Sequence, residues 1–357
     1  MKPFPHAFAA TLDTPAPVVD LDIVERNIAR LQAACERAGV GNRPHMKTHK
    51  ARDIARLQLQ AGAIGLTCQK LGEAEAMADA GATDLLISYN VLGAAKHARL
   101  RALARRVKLA VCCDNSTVAD GYAQAMAGAA DVLSVFVECD TGRHRCGVPS
   151  PQAAADLARH VADLPGLRFD GVLLYPPDGD LVASIDFLAE LRKACAGHGL
   201  IVRTVCSGGT PNWGRIGSLG ENEYRAGTYV YNDRQMVRLG AASLEDCALF
   251  VYATVVSHPE PDRVMIDAGS KTLTSDLMGF GDHGLLVDYP EARLHKLAEE
   301  HGFVDVSACA HAPGIGEVVR VLPNHACPVS NLFDEVLTMR GDRGAGRMSI
   351  TARGRVA

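Results

Sequence analysis

Lys47 lies in the run Arg43-Pro44-His45-Met46-Lys47-Thr48-His49-Lys50, at the carboxyl end of a short β-prone segment. A lysine so placed can form a Schiff base with an aldehyde. His49 and Lys50 crowd positive charge nearby, and cationic neighbours favour the neutral, nucleophilic amine. A second cluster, Ser207-Gly208-Gly209-Thr210-Pro211-Asn212, sets two glycines between hydroxyl donors. Glycines let the backbone approach an anion closely, as a phosphate cup requires. Gly227 and Thr228 repeat the pairing further along. A plain glycine turn would need no ligand. A phosphate cup together with a reactive lysine, however, meets the two demands of pyridoxal phosphate.

His325 and Cys327 stand two residues apart in Pro323-Asn324-His325-Ala326-Cys327-Pro328. On an extended segment both side chains would face the same way. Imidazole and thiolate suit zinc. Two ligands leave room for water or a substrate hydroxyl. His283 and His311 are further candidates, each equally explicable as a structural or surface residue. Arg145, in Asp140-Thr141-Gly142-Arg143-His144-Arg145-Cys146-Gly147-Val148, could neutralise a phenolate or a carboxylate, or simply face solvent.

These side chains need a scaffold, and the chain's periodicity supplies one. Residues 17–21 read as a lead-in strand. Asp22 reads as the cap of a helix with the stripe Ile23, Ile28, Leu31 and Cys35, ended by Gly39. Eight strand candidates follow, at 43–46, 65–69, 84–89, 107–114, 132–140, 169–175, 201–207 and 224–232. Helical stretches such as 72–80, 94–106, 151–164 and 182–197 separate the first seven. Such alternation implies a parallel sheet, and apolar strand interiors imply cover on both faces. Eight strands imply a closed barrel. The pattern turns to β after about residue 241, with strands expected at 249–257, 263–267, 316–322 and 335–340.

The expected fold is therefore α/β: a (β/α)8 TIM-like barrel at 21–240, then a mostly β C-terminal domain at 241–357. Residues 1–20 join the second domain, which carries the metal motif. Barrel active sites form at the carboxyl ends of the strands. Those ends read Lys47, Gln69, Tyr89-Asn90, Asp114, Asp140 with Arg145, Tyr175, Ser207 to Thr210, and Asn232, a set too polar for arbitrary loops.

The 357-residue chain is 48% hydrophobic and 22% charged, with a net charge of −4. That balance gives no reason to expect nucleic acid or an anionic membrane as partner. The longest apolar run, from Cys247 to Val256, spans ten residues and is too short to cross a bilayer. The start, Met1 to His6, lacks the apolar core of a signal peptide. Eleven cysteines without regular spacing suggest reduced, mostly buried thiols and a cytoplasmic protein.

Together the motifs resemble the fold-type III pyridoxal phosphate enzymes, the alanine racemase-like barrels. Within these the resemblance is to the branch with D-threonine aldolase and D-serine dehydratase. It runs from Thr14-Pro15-Ala16-Pro17-Val18-Val19-Asp20-Leu21-Asp22 through Pro44 to Lys50, Arg145-Cys146-Gly147-Val148 and Ala226-Gly227-Thr228-Tyr229, to the His325-x-Cys327 motif. The resemblance implies that Lys47 carries pyridoxal 5'-phosphate and that Arg145 meets its phenolic oxygen. It implies that Ser207, Gly208, Gly209, Thr210, Gly227 and Thr228 hold the phosphate, and that Gln69 and Tyr175 line the ring and substrate pocket. His325 and Cys327 would bind a divalent ion, zinc or manganese, gripping the substrate's β-hydroxyl. A homodimer is implied too, with Asp267 to Thr272 a candidate contribution to the site. In this branch the tyrosine ending the sixth strand is followed shortly by a histidine linked to aldol cleavage. Here Tyr175-Pro176-Pro177-Asp178-Gly179-Asp180-Leu181 has none.

The implied reaction is retro-aldol cleavage of a D-3-hydroxy amino acid to glycine and an aldehyde. A metal-bound hydroxide, Asp178 or Asp180 would replace the absent histidine. The alternative is β-elimination to a keto acid and ammonia, with Lys47 taking the α-proton. Racemisation would need a second base, which is not evident. A non-catalytic pyridoxal phosphate carrier would not need the β domain.

Overall fold

Eight parallel strands form in the predicted order, most of them shorter than their sequence patterns: Gly41–Asn42, Leu66–Cys68, Asp84–Ile87, Lys108–Cys113, Leu133–Cys139, Leu167–Leu174, Thr204–Ser207 and Glu223–Tyr224. The structure is a computed structural model that describes residues 4–357. Residues 1–3 of the expected amino-terminal segment lie outside the described residues. Each strand pairs with its sequence neighbour, and Gly41–Asn42 pairs with the last strand. A parallel bridge between His45 and Thr67 closes the ring. Its two backbone bonds, Thr67 N–H to the Pro44 carbonyl and Met46 N–H to the Thr67 carbonyl, are both 2.9 Å.

Every residue of Leu133–Cys139 is buried, as strands between helices and a barrel interior require. Leu86, Cys112, Phe136, Leu173 and Cys206, one from each of five neighbouring strands, pack together as a single core cluster. Helices return the chain between strands. Asn115 and Ser150 cap two of them by accepting from Val118 N–H (3.0 Å) and Ala153 N–H (3.3 Å). The helix Leu21–Ala38 is capped by Asp20 rather than Asp22. Asp20 Oδ1 accepts from the amides of Asp22 and Ile23 at 3.0 and 3.2 Å.

Two strand expectations change at the seam. Pro44 has no N–H to donate, so the first strand pairs at Gly41–Asn42 and resumes only at His45. The eighth strand stops at Tyr224 instead of running to residue 232. The Thr228 carbonyl accepts from the amides of Tyr231 and Asn232, and this helical pattern displaces the ladder. Gly227 and Thr228 therefore sit beyond the strand, Thr228 opening a 3-10 turn.

Contact density divides the chain into two compact units. One comprises Arg30–Lys47, Ile54–Gly227 and Gly354–Ala357, and contains the barrel sheet. The other runs to Ala29 and adds Thr48–Asp53 and Thr228–Arg353. Its organiser is the long strand Leu249–Glu260, which pairs antiparallel with Ala16–Asp20, Arg263–Ile266 and Val318–Pro323. Ala16–Asp20 in turn pairs parallel to Glu335–Arg340. Four further strands, Gly284–Leu286, Arg293–Leu297, Gly302–Asp305 and Arg343–Ser349, escaped the sequence reading. Arg343–Ser349 is exposed along all but one residue and carries two glycines, so it has no apolar alternation to detect. Its ladder with Glu335–Arg340 comes from tertiary pairing.

Gly171 marks the tightest contact of the barrel. The register steps from Val135 opposite Phe169 to Phe136 opposite Gly171, leaving Asp170 as a bulge. A Cβ on Gly171 would overlap the Thr204 carbonyl of the next strand. Gly171→Ala is expected to cost on the order of 1–3 kcal/mol. A thermal melt unchanged from wild type would contradict this account of the bulge.

Candidate active site

Lys47 occupies a turn directly after the barrel-closing bridge and is half-buried. His45, buried beneath the turn, accepts the Lys47 amide N–H on Nδ1 at 3.3 Å. His45 Nε2 lies 3.1 Å from Gln69 Oε1 and 3.3 Å from Ser88 Oγ. Gln69 Nε2 donates to the Ser88 carbonyl at 3.1 Å. The ends of the first three strands are thus tied by one polar network. The other cations expected to crowd Lys47 have partners of their own. His49 accepts the Ala51 amide on Nδ1 at 3.1 Å, and the Lys50 amine donates to Asn331 at 2.8 Å.

After the seventh strand the chain makes the predicted glycine loop. Gly208 has φ +99°, and a Cβ there would fall inside the Tyr224 ring. A Cβ on Gly209 would come within 2.6 Å of the Tyr175 ring. Both aromatic rings therefore press on bare backbone. Tyr224 is buried and its hydroxyl donates to the Gly209 carbonyl at 2.7 Å. Ser207 Oγ is fully buried and has no hydrogen-bond partner among the described residues. A buried hydroxyl without a partner is costly, and a ligand with acceptor oxygens would satisfy it. Thr210 is buried at the start of a short 3-10 helix. Trp213, in that helix, carries the Arg30 guanidinium over its ring at 5.1 Å.

Arg225 follows the eighth strand, and its amide donates to the Ser207 carbonyl at 3.0 Å. Its guanidinium bonds the Leu174 carbonyl, while its Nε has no partner among the described residues. The sequence reading missed Arg225, His45, Ser88 and Glu138. Arg225, Ser88 and Glu138 each lie one residue from a strand end and His45 lies at the barrel-closing bridge, and that position was the available signal. Glu138 is buried, and burial pushes its carboxyl above the usual range against the pull of Arg225 and Arg145. Arg145 lies 3.8 Å from Glu138 and 5.4 Å from the Tyr175 ring centroid. Arg143 stacks on the same ring at 4.4 Å.

The loop carrying Arg145 is shaped by Asp140, whose Oδ1 accepts from the amides of Gly142, Arg143 and His144. Burial opposes its ionisation, yet these three bonds hold the Asp140 carboxyl below its ordinary range. Asp178 is ion-paired with Arg143, and Asp180 accepts the Val182 amide at 2.9 Å. Asn90 donates to Asp114 at 2.7 Å. Tyr89 is half-exposed under the Lys70 amine.

The His325-x-Cys327 motif lies in the other unit. The segment is not extended as expected. His325 precedes the helix Ala326–Leu332, and Cys327 lies in its first turn. The two side chains still interact. Burial opposes charge on His325, but Cys327 and Asp276 raise its pKa to about 9. His325 Nδ1 lies 2.7 Å from Asp276 Oδ2, so Nε2 is the nitrogen that would be left to ligate a metal. Such a carboxylate–histidine pair commonly orients a metal-bound imidazole. Buried Asp233 accepts the Ala326 amide at 3.0 Å, and Thr48 Oγ1 lies 3.2 Å from Cys327 Sγ. Imidazole and thiolate, with a carboxylate bracing the imidazole, are a donor set that suits zinc.

No cluster of three His, Cys, Asp or Glu suited to a metal occurs among the described residues. His311 is exposed, and burial lowers the His283 pKa. Asp267 is occupied structurally, accepting from Thr254 N–H (2.8 Å) and Thr14 Oγ1 (2.6 Å). Asn232 donates to the carbonyls of Tyr229 and Asp246.

A closed parallel barrel with a lysine after its first strand and a glycine loop after its seventh, in a chain with a second β unit, defines the alanine racemase-like class. Family comparison agrees. Residues 19–235 match the model "Alanine racemase, N-terminal domain", and residues 248–339 match "Putative serine dehydratase domain". The chain is 36% identical to the D-threonine aldolase of an Arthrobacter species, over 97% of this chain and 94% of that one. It is 34% identical to the D-threo-3-hydroxyaspartate dehydratase of Delftia sp. strain HT23, over 93% and 95%. The crystal structure of D-threonine aldolase from Filomicrobium marinum superposes with a TM-score of 0.90 at 33% identity, covering 97% of both chains. The chain belongs to the fold-type III pyridoxal phosphate lyases, in the family of the D-threonine aldolases and D-3-hydroxyaspartate dehydratases.

The glycine loop yields a direct prediction. Gly209→Val should reduce pyridoxal phosphate retention at least tenfold, because the added side chain must displace the Tyr175 ring. Equilibrium dialysis measures this, and unchanged retention would remove the loop from the cofactor site.

Proposed function

We propose that the protein cleaves D-3-hydroxy amino acids between Cα and Cβ, releasing glycine and an aldehyde. The observation that carries the reading is the presence, in one chain, of Lys47 at a barrel strand end and His325 interacting with Cys327. The 36% identity to a D-threonine aldolase favours the same direction.

In this reading Lys47 holds pyridoxal phosphate through its amine. Ser207, Gly208, Gly209, Thr210, Gly227 and Thr228 hold the phosphate, the Ser207 hydroxyl being the buried donor in need of an acceptor. Arg145 serves the phenolic oxygen, and Arg225 adds a buried donor nearby. Gln69 and Tyr175 line the ring and substrate. The cofactor, when bound, supplies an electron sink that stabilises negative charge developing at Cα. His325 and Cys327 hold a zinc or manganese ion, which supplies the acidity that lowers a bound hydroxyl's pKa. Asp276 steers the His325 ring so that Nε2 remains a ligand.

The runner-up is β-elimination to a keto acid and ammonia. One local observation favours it: Asp178, in the loop where the branch carries a histidine, is clamped by Arg143. The 34% identity to a dehydratase favours it as well. Lys47 would then take the α-proton. A homodimer in the cytoplasm belongs to the same proposal. Among the described residues no helix is long and apolar enough to cross a membrane, and eight of the eleven cysteines are buried free thiols.

Product analysis separates the readings. The protein is given pyridoxal phosphate, Mn²⁺ or Zn²⁺, and D-threonine, D-phenylserine or D-serine, with and without EDTA. Glycine plus an aldehyde, lost with EDTA and restored by metal, is the expected result; ammonia plus a keto acid would replace the aldolase by the dehydratase. Lys47→Ala should lower turnover by roughly 10³-fold or more. Asp276→Ala should weaken metal affinity by about 10–100-fold, read by metal titration.

A further inference from the structure

The spacing His45-x-Lys47 has a physical reason. The Lys47 amide N–H donates to Nδ1 of the imidazole two residues earlier, at 3.3 Å. The same device recurs immediately downstream, where the Ala51 amide donates to His49 Nδ1 at 3.1 Å. A ring nitrogen that accepts an amide N–H presents its lone pair, so the neutral ring carries its proton on Nε2. The neighbours agree with that tautomer. Gln69 Nε2 is committed to the Ser88 carbonyl at 3.1 Å, which turns Gln69 Oε1 toward His45 Nε2, also at 3.1 Å. Ser88 Oγ lies 3.3 Å from the same nitrogen and 3.3 Å from the Cys68 carbonyl. Glu73 holds the Gln69 amide at 2.7 Å. His45 itself is 4% exposed and so locked in place.

We propose that His45 is the positioning residue for Lys47. Its Nδ1 sets the turn that aims the lysine, while the Nε2 contacts to Gln69 and Ser88 serve to keep the ring in the tautomer that leaves Nδ1 an acceptor. The proposal rests on Lys47 being the attachment site for pyridoxal phosphate. In this role His45 acts through the Lys47 backbone amide.

Two near-isosteric variants separate its two nitrogens. Asparagine places an acceptor where Nδ1 stood, and glutamine places an amide where Nε2 stood. Full-length His45→Asn and His45→Gln are titrated with pyridoxal phosphate, reduced with borohydride, and analysed by mass spectrometry for label on Lys47. Thermal melts of the cofactor-free proteins control for folding. His45→Asn is expected to label Lys47 within about threefold of wild type at limiting cofactor. His45→Gln should need roughly tenfold more cofactor, in line with the loss of one buried acceptor. Ser88→Ala, which removes one partner of Nε2 and spares Nδ1, should label like wild type even if a histidine variant fails to fold. Equal labelling of both histidine variants, better labelling by His45→Gln than by His45→Asn, or a loss in Ser88→Ala would overturn the proposal. Wild-type protein unlabelled at Lys47 would instead overturn the attachment reading beneath it.

Discussion

Parallel pairing closed by the Pro44–Thr67–Met46 bonds is the constraint on which the candidate site depends. In a parallel sheet every strand delivers its carboxyl end to the same side. Closing the ring turns that row into a rim. Lys47, Gln69, Ser88, Asp114, Asp140, Tyr175, Ser207 and Arg225 each stand at or just beyond a strand end, far apart in sequence. Beneath them Leu86, Cys112, Phe136, Leu173 and Cys206 fill the interior. A close-packed apolar layer resists deformation, so the polar side chains above it have a rigid base.

That base carries a buried carboxyl and buried polar atoms without partners among the described residues. Glu138 is a buried carboxyl with a raised pKa, placed among Arg225, Arg145 and Cys112. Ser207 Oγ and Arg225 Nε are buried without partners among the described residues. Left unsatisfied, each such group costs stability. A ligand that satisfies them recovers the cost and stabilises the fold by linkage. Gly208 and Gly209 belong to the same arrangement, since the rings of Tyr224 and Tyr175 occupy the space where side chains would stand. Local strain and unsatisfied polarity concentrate where binding energy is available to offset them.

In the β unit the order of causes is different. Buried Asp233 caps the helix Arg234–Arg238 and also accepts the Ala326 amide, and so pins the start of the helix that bears Cys327. Asp276 then orients His325. The pairing of imidazole and thiolate survives although the segment is helical rather than extended, because it is enforced by these two carboxylates and not by strand alternation.

The sequence by itself determined the alternation of strands and helices, the eightfold count and the lysine and glycine motifs, because apolar periodicity and glycine chemistry are local; the family came from the resemblance of those motifs to known enzymes. It could place side chains at strand ends in order, and so reached Lys47, Gln69, Arg145, Tyr175 and the Ser207 loop. It could not see that Pro44 interrupts the first strand, that Thr228 begins a helical turn, or that Arg343–Ser349 pairs with Glu335–Arg340. Those outcomes depend on which distant backbone groups compete for the same hydrogen bonds. For His45, Ser88, Glu138 and Arg225 it offered only nearness to a strand end. A buried polar residue has no periodic signature; its importance comes from neighbours brought by other strands. Only the tertiary structure decided which amide the His45 ring accepts, which carboxylate braces His325, and which hydroxyl stays unpaired, because each is settled by distances of about 3 Å between residues the sequence holds apart.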